Sequence, residues 1–208
     1  RYRFVLASAS PRRLRLLREA GLRPLVRPVR IEERAAAGET PRAMVLRLAE
    51  AKGRAAAGEL CDPEEPSVIL GADTAVVLGL RALGKPESPA EARAMLRLLR
   101  GRTHEVLTGV FLLRTDDGRA ARAVESSRVR FRDYDDRAIR EYVSGGEPMD
   151  KAGAYAIQGE GARLAEAVEG SRANVIGLPV ERLEAWLVRL GLKLEQLGPE
   201  GQPADSAN

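Results

Sequence analysis

Cysteine and histidine are almost missing from this chain, with Cys61 and His104 the sole residue of each type. One of each can build neither a disulfide framework nor a Cys/His zinc cluster within one chain. A catalytic metal would therefore sit on oxygen ligands, which favours Mg²⁺ or Mn²⁺. Aromatic residues are only 4% of the sequence, which argues against the interleaved surface aromatics of a nucleic-acid-binding module. No run approaches the roughly 18 consecutive apolar residues of a membrane helix, and the apolar run at residues 4–7 is far shorter than a signal-peptide core. A cytoplasmic protein with no membrane partner is expected. The sequence also lacks the G-x-x-x-x-G-K-[ST] loop and the G-x-G-x-x-G fingerprint, so any phosphate must be held in another way.

What is present is ordinary globular material. The 208 residues are 44% hydrophobic and 31% charged, enough to bury a sizeable core in one folding unit with a cleft. The net charge of +4 and pI near 9.6 admit a polyanionic partner. The cations are mostly arginines scattered among acids, however, and no stable nucleic-acid complex is expected.

Patterning predicts a strand at residues 3–8 and a helix that Ser10 caps, Pro11 begins and Gly21 ends. Residues 22–31 read as a second strand. Thr40 caps and Pro41 starts another helix, with Met44, Val45, Leu48 and Ala51 on one face and a stop by Gly58. A polar loop over residues 59–67 leads into a short buried strand at residues 68–71, with Asp73 and Thr74 at its C-terminal end. A third helix begins at Ser88-Pro89 and ends before Gly101. A hairpin pairs residues 105–115 with 120–132 around Asp116-Asp117-Gly118. Further on come a helix near residues 135–143, an irregular glycine-rich segment at 145–177 and a last helix at 179–190, whose Trp186 is core. Residues 1–197 form one domain, and the tail from Gly198 is expected to be disordered. The fold class is α/β with a mixed twisted sheet flanked by helices.

Ser8-Ala9-Ser10-Pro11-Arg12-Arg13 is the strongest local feature. Hydroxyls, free backbone N–H groups, a helix dipole and two guanidiniums meet at one helix N-terminus, where an anion would relieve the misplaced cations. A capped helix with solvated arginines is the alternative. Lys52 and Lys85, the latter in Gly84-Lys85-Pro86, could meet phosphates or simply be surface lysines. Asp73 could hold a metal or deprotonate water, or cap a turn. Glu32 and Glu33 could serve Mg²⁺ or form a solvated rim. His104 lacks a nucleophile pattern nearby, and no triad is built on it. Small residues from Asp150 to Gly159 let backbone approach a ligand, with Gln158 able to read a base edge.

Taken in order, Leu6-Ala7-Ser8-Ala9-Ser10-Pro11-Arg12-Arg13, Gly71-Ala72-Asp73-Thr74, Leu83-Gly84-Lys85-Pro86, Gly101-Arg102-Thr103-His104 and Gly170-Ser171-Arg172-Ala173-Asn174-Val175-Ile176-Gly177-Leu178-Pro179 resemble the signatures of the Maf family. These septum-formation-inhibitor-like proteins are nucleoside triphosphate pyrophosphatases, hydrolases of acid anhydrides. The resemblance spans residues 3–190. It implies an elongated, two-lobed Maf/ITPase-like architecture with a central cleft, and a homodimer. It implies Asp73 as catalytic base, Ser8, Ser10, Arg12, Arg13, Lys52 and Lys85 on phosphates, and Glu33 with Asp73 at a divalent metal. Ile157-Gln158-Gly159 looks like the branch acting on dTTP and UTP, in which Arg13, Thr74 and Gln158 are tied to substrate choice. Gly53 stands where alanine is common, which would loosen the Lys52 helix, and Arg172-Ala173 replaces a more polar pair. The alternative is a nucleic-acid-binding or division-regulating protein without turnover.

Overall fold

The N-terminal apolar run forms strand β1 (Tyr2–Leu6). The chain then turns through Ser8 into helix α1 (Pro11–Glu19). One cap grammar recurs. Ser10, Thr40 and Ser88 accept the N–H of Arg13, Ala43 and Glu91, and a proline opens each of α1, α2 (Pro41–Glu59) and α3 (Pro89–Leu99). The hydroxyl satisfies an orphan N–H, and proline has none to lose. Asp135 caps α4 (Asp136–Ser144) and Ser171 caps the short α5 (Arg172–Ile176). Helix α6 (Leu183–Arg189) closes the set among the residues this computed structural model describes, 1–60 and 65–198.

The remaining strands are β2 (Leu25–Val26), β3 (Ser67–Leu78), β4 (Arg81–Leu83), β5 (Thr103–Arg114), β6 (Ala120–Phe131), β7 (Ala165–Glu169) and β8 (Leu197–Gly198). Among the described residues they make one eight-stranded mixed sheet in the order β2-β1-β3-β5-β6-β7, with β8 on β1 and β4 on β3. Strand β1 runs parallel to β2, β3 and β8, and the other pairings are antiparallel. Along one edge β3 pairs continuously with β5. Along the other it pairs with β1 as far as Leu70 and with β4 only from Val76. The gap between, at the carboxyl end of β1, is where open α/β sheets take ligands.

Helix α2 lies on one face of the sheet against Val5, Ile69 and Phe111. It comes so close that a Cβ on Gly71 would stand 2.1 Å from the Ala49 carbonyl oxygen, and one on Gly109 would stand 2.2 Å from that of Val45. On the opposite face one core gathers α1 and α6 over β1 and the first half of β3, including Phe4, Leu70 and Trp186. A second gathers α3 and α4 around Val76, Phe131 and Tyr155. The cleft opens between these two packed ends.

Several expectations need correction. The strand expected at 22–31 is reduced to β2, because Pro24 and Pro28 flank the two residues that pair with β1. Asp73 and Thr74 lie inside β3, not at its end, since antiparallel pairing with β5 carries the strand on to Leu78. The segment 145–177 is not wholly irregular: β7 pairs with β6, and Ser171 caps α5. On α2 the buried face holds Val45, Leu48, Ala49, Lys52, Gly53 and Ala56, whereas Met44 and Ala51 are half-buried. Gly198 pairs with Arg3. The rest of the tail, and Cys61 in the 59–67 loop, lie outside the described residues. No helix among the described residues is long and apolar enough to cross a membrane.

Candidate active site

Side chains alternate across a strand, so the neighbours Asp73 and Thr74 serve opposite faces of β3. Asp73 points to α2, where Lys52 Nζ donates to its Oδ1 at 2.7 Å. The same ammonium lies 2.6 Å from Glu33 Oε1, so one cation is shared by two carboxylates. Thr74 points to α1 and α5. Its Oγ1 accepts from Arg13 Nη2 at 3.0 Å and pairs with Thr108 Oγ1 across β5 at 2.9 Å.

Arg13 is buried and held on three sides: Nη1 donates to Ser8 Oγ at 3.1 Å, Nη2 to Thr74, and Nε to the Gly177 carbonyl at 2.9 Å. A guanidinium has five N–H donors, so donors remain for an anion. The Gly177 carbonyl is presented at the C-terminus of α5, where Gly177 adopts φ +136°, a backbone conformation that side-chain-bearing residues rarely take. Helix α5 is itself pinned by the fully buried Asn174, whose Nδ2 donates to Val106 O at 2.9 Å and Ser127 Oγ at 3.0 Å. Thr108 Oγ1 completes the link by donating to Asn174 O at 3.3 Å. The motif around Asn174 was visible in the sequence. Its part in fixing Arg13, and that of Thr108, was not.

These groups surround a cavity of ≈ 500 Å³ lined by Ser8, Ser10, Arg12, Arg13, Glu33, Lys52, Asp73, Thr74 and Lys85. Every residue expected to touch phosphate or metal is therefore in one cleft. Gln158 lies in a smaller pocket beside it, and the two share Arg12, Ala152 and Ile176. Arg12 faces Asp150 at 3.6 Å. Lys85 has no ion pair among the described residues.

Burial divides the two carboxylates on Lys52. It lifts Asp73 above the ordinary aspartate value, outweighing the pull of Lys52 and Arg13. Burial also works against ionised Glu33, but Lys52, Lys85 and Arg13 together hold it below the ordinary glutamate value. A pair pushed apart in this way separates a proton acceptor from a fixed charge. Burial likewise lowers Arg13, partly offset by Asp73. Glu32 is not part of the site; it faces Arg34 at 3.5 Å. His104 is buried outside the cleft, with Nε2 2.8 Å from the Tyr155 hydroxyl.

Whether the site fits a divalent cation can be judged from its donors. Glu33 and Asp73 converge on the Lys52 ammonium, so only their remaining oxygens could serve an ion, and no group of three or more His, Cys, Asp or Glu among the described residues could enclose one. Two carboxylates suit Mg²⁺, which keeps waters and takes substrate phosphates to complete its shell.

The family model described as Maf-like protein matches residues 3–190 of this chain. The chain is 50% identical over 194 residues to the dTTP/UTP pyrophosphatase of Anaeromyxobacter dehalogenans (strain 2CP-C), covering 92% of this chain and 96% of that one. It is 47% identical over 204 residues to the protein of the same name from Anaeromyxobacter sp. (strain Fw109-5), covering 96% and 95%. The dTTP/UTP pyrophosphatase of Moorella thermoacetica is 46% identical, covering 91% and 96%. A solved nucleoside-triphosphatase / dITP/XTP pyrophosphatase from Mycobacterium abscessus covers 93% of this chain at 16% identity and a TM-score of 0.39, too distant to inform the site.

Proposed function

Because the chain belongs to the Maf-like protein family, we propose that it hydrolyses dTTP and UTP to the nucleoside monophosphate and pyrophosphate. The observation that carries this reading is the placement of Asp73: a buried carboxylate of raised proton affinity opening on a cleft whose other groups are suited to phosphate. Relatives named dTTP/UTP pyrophosphatase support the substrate assignment.

In this reading the triphosphate lies in the cleft with Ser8, Ser10, Arg12, Arg13 and Lys85 on its oxygens. Asp73 accepts a proton from water as that water attacks the α-phosphorus, and pyrophosphate departs without a covalent intermediate. Lys52 holds Asp73 Oδ1 and leaves the other carboxylate oxygen for the water. Arg13 and Lys85 stabilise the charge gathering on the leaving group. Glu33 and Asp73 would hold Mg²⁺ or Mn²⁺ together with substrate phosphates, and such an ion supplies Lewis-acid stabilisation of phosphoryl charge. The reading extends to a homodimer, on the family resemblance, and to a cytoplasmic location, on the lack of a signal-peptide core or membrane-length apolar run in the sequence.

The test is pyrophosphate release from UTP, dTTP, CTP, GTP, ATP and 7-methyl-GTP with Mg²⁺ or Mn²⁺, beside Asp73→Asn. Turnover of UTP and dTTP is expected, falling by roughly 10²–10⁴-fold in the variant. Folded protein that cleaves no nucleotide would sink the reading.

A further inference from the structure

We propose that Arg15 is a positioning residue for base selection, fixing the side-chain amide of Gln158 so that its NH₂ group faces the base. The inference rests on the pyrimidine pyrophosphatase reading and adds to it a residue and a mechanism of discrimination.

Arg15 lies on α1, and its Nη2 donates to Gln158 Oε1. The two ends of a glutamine amide are interchangeable in shape but not in hydrogen-bonding character. A guanidinium carries donors only, so it can meet the oxygen and never the nitrogen. The contact thus decides which way the amide points. It leaves Nε2, with two N–H donors and no partner among the described residues, on a side chain that lines the small pocket beside the cleft. The backbone is fixed too, since Arg172 Nη2 donates to the Ile157 carbonyl at 2.9 Å. Arg12, which borders both the cleft and this pocket, ties the position of the phosphates to that of the base.

Uracil and thymine present a carbonyl oxygen at C4, whereas cytosine presents an amino group there. An amide locked as a donor pairs with the first two and opposes the third. To accept cytosine, Gln158 would have to flip and surrender its bond to Arg15. Discrimination would then come from an arginine that need not touch the nucleotide, an arrangement in which a mispaired polar group is the penalty for the wrong base.

The test compares kcat/KM for UTP, dTTP and CTP in wild type, Arg15→Ala and Arg15→Lys, with thermal unfolding as a check on folding. The Arg15 side chain is 52% exposed, so its removal leaves the core intact. We expect the UTP-to-CTP ratio to fall roughly tenfold in Arg15→Ala, as one hydrogen bond's worth of selectivity is lost. The change should be carried mainly by KM, and Arg15→Lys, which also only donates, should recover part of it. The UTP-to-dTTP ratio should hold, because those substrates share the C4 carbonyl. An unchanged UTP-to-CTP ratio in Arg15→Ala, or equal use of UTP and CTP by wild type, would overturn the inference and leave the pyrophosphatase reading standing. A wild type that cleaves neither UTP nor CTP would overturn both.

Discussion

Asp73 and Glu33 meet on one ammonium and yet differ in proton affinity, because Asp73 is the more deeply buried of the two. That difference makes a prediction about pH. As the proposed base, Asp73 acts only when ionised, so activity should be present above its pKa and lost as pH falls through it. With that pKa raised by burial, the acid limb of kcat/KM should lie above the ordinary aspartate value of about 3.9. A bound cation stabilises the carboxylate, so the profile should be taken at two Mg²⁺ concentrations. A limb that moves to lower pH as Mg²⁺ rises places a cation beside Asp73, and one that stays removes Asp73 from the metal site. A limb at or below 3.9 at the lower concentration removes the case for a raised base. At this scale the sequence was legible where chemistry is concentrated in short motifs: Ser8 to Arg13, Asp73 with Thr74, and Lys85 all reach the cleft. It was not legible for Thr108, Asn174 or Arg15, whose roles are contacts across long sequence separations, 143 residues in the case of Arg15 and Gln158.

At the scale of elements, the site depends on how closely α2 lies on β3 and β5. Gly53, whose loss of helix propensity looked like a loosening of α2, is required by packing: a Cβ there would stand 2.5 Å from the buried ring of Phe111. Gly71 is the stricter case, because a Cβ would meet backbone, at 2.1 Å from Ala49 O and 2.8 Å from Gly53 N. Backbone cannot rotate aside, so Gly71→Ala must lift α2 and draw Lys52 away from Asp73. We expect a stability loss of about 1–3 kcal/mol, the usual cost of overpacking, with a fall in kcat beyond what the unfolded fraction explains. Denaturant unfolding and steady-state kinetics on the same preparation check it, and a variant with wild-type stability and kcat would contradict it. The helix starts were readable because capping is local. The run of β3 through Asp73 was not, since it is imposed by a partner strand, and the shortness of β2 is set by the few residues that reach β1.

On the scale of the whole molecule, one histidine makes the acid side of the stability curve separable. His104 is sealed between the sheet and the segment carrying Tyr155, with ring contacts to Phe131 and Tyr155, and burial alone lowers its pKa from 6.5 to about 4. The folded state therefore refuses a proton that the unfolded chain takes. Stability is fully present above 6.5, falls as pH drops below it, and has lost this whole contribution below 4, roughly 3 kcal/mol at 1.36 kcal/mol per unit. The half-buried carboxylates Glu39 and Glu50, held down to about 2 by arginines, lose their contribution only below their unfolded value of 4.5, a lower window. Asp73, raised instead, works with the opposite sign: its folded form binds the proton more readily, so acid relieves it. Urea midpoints between pH 7 and 4.5 in an Asp73→Asn background should therefore fall with acid, and His104→Gln, which cannot titrate, should flatten the slope. The same variant tests a link to the site, because His104 anchors the tyrosine that precedes Ala156 and Gln158 in the wall of the small pocket beside the cleft. An equal slope with and without the histidine would mean that carboxylates, not this buried ring, set the acid stability of the fold.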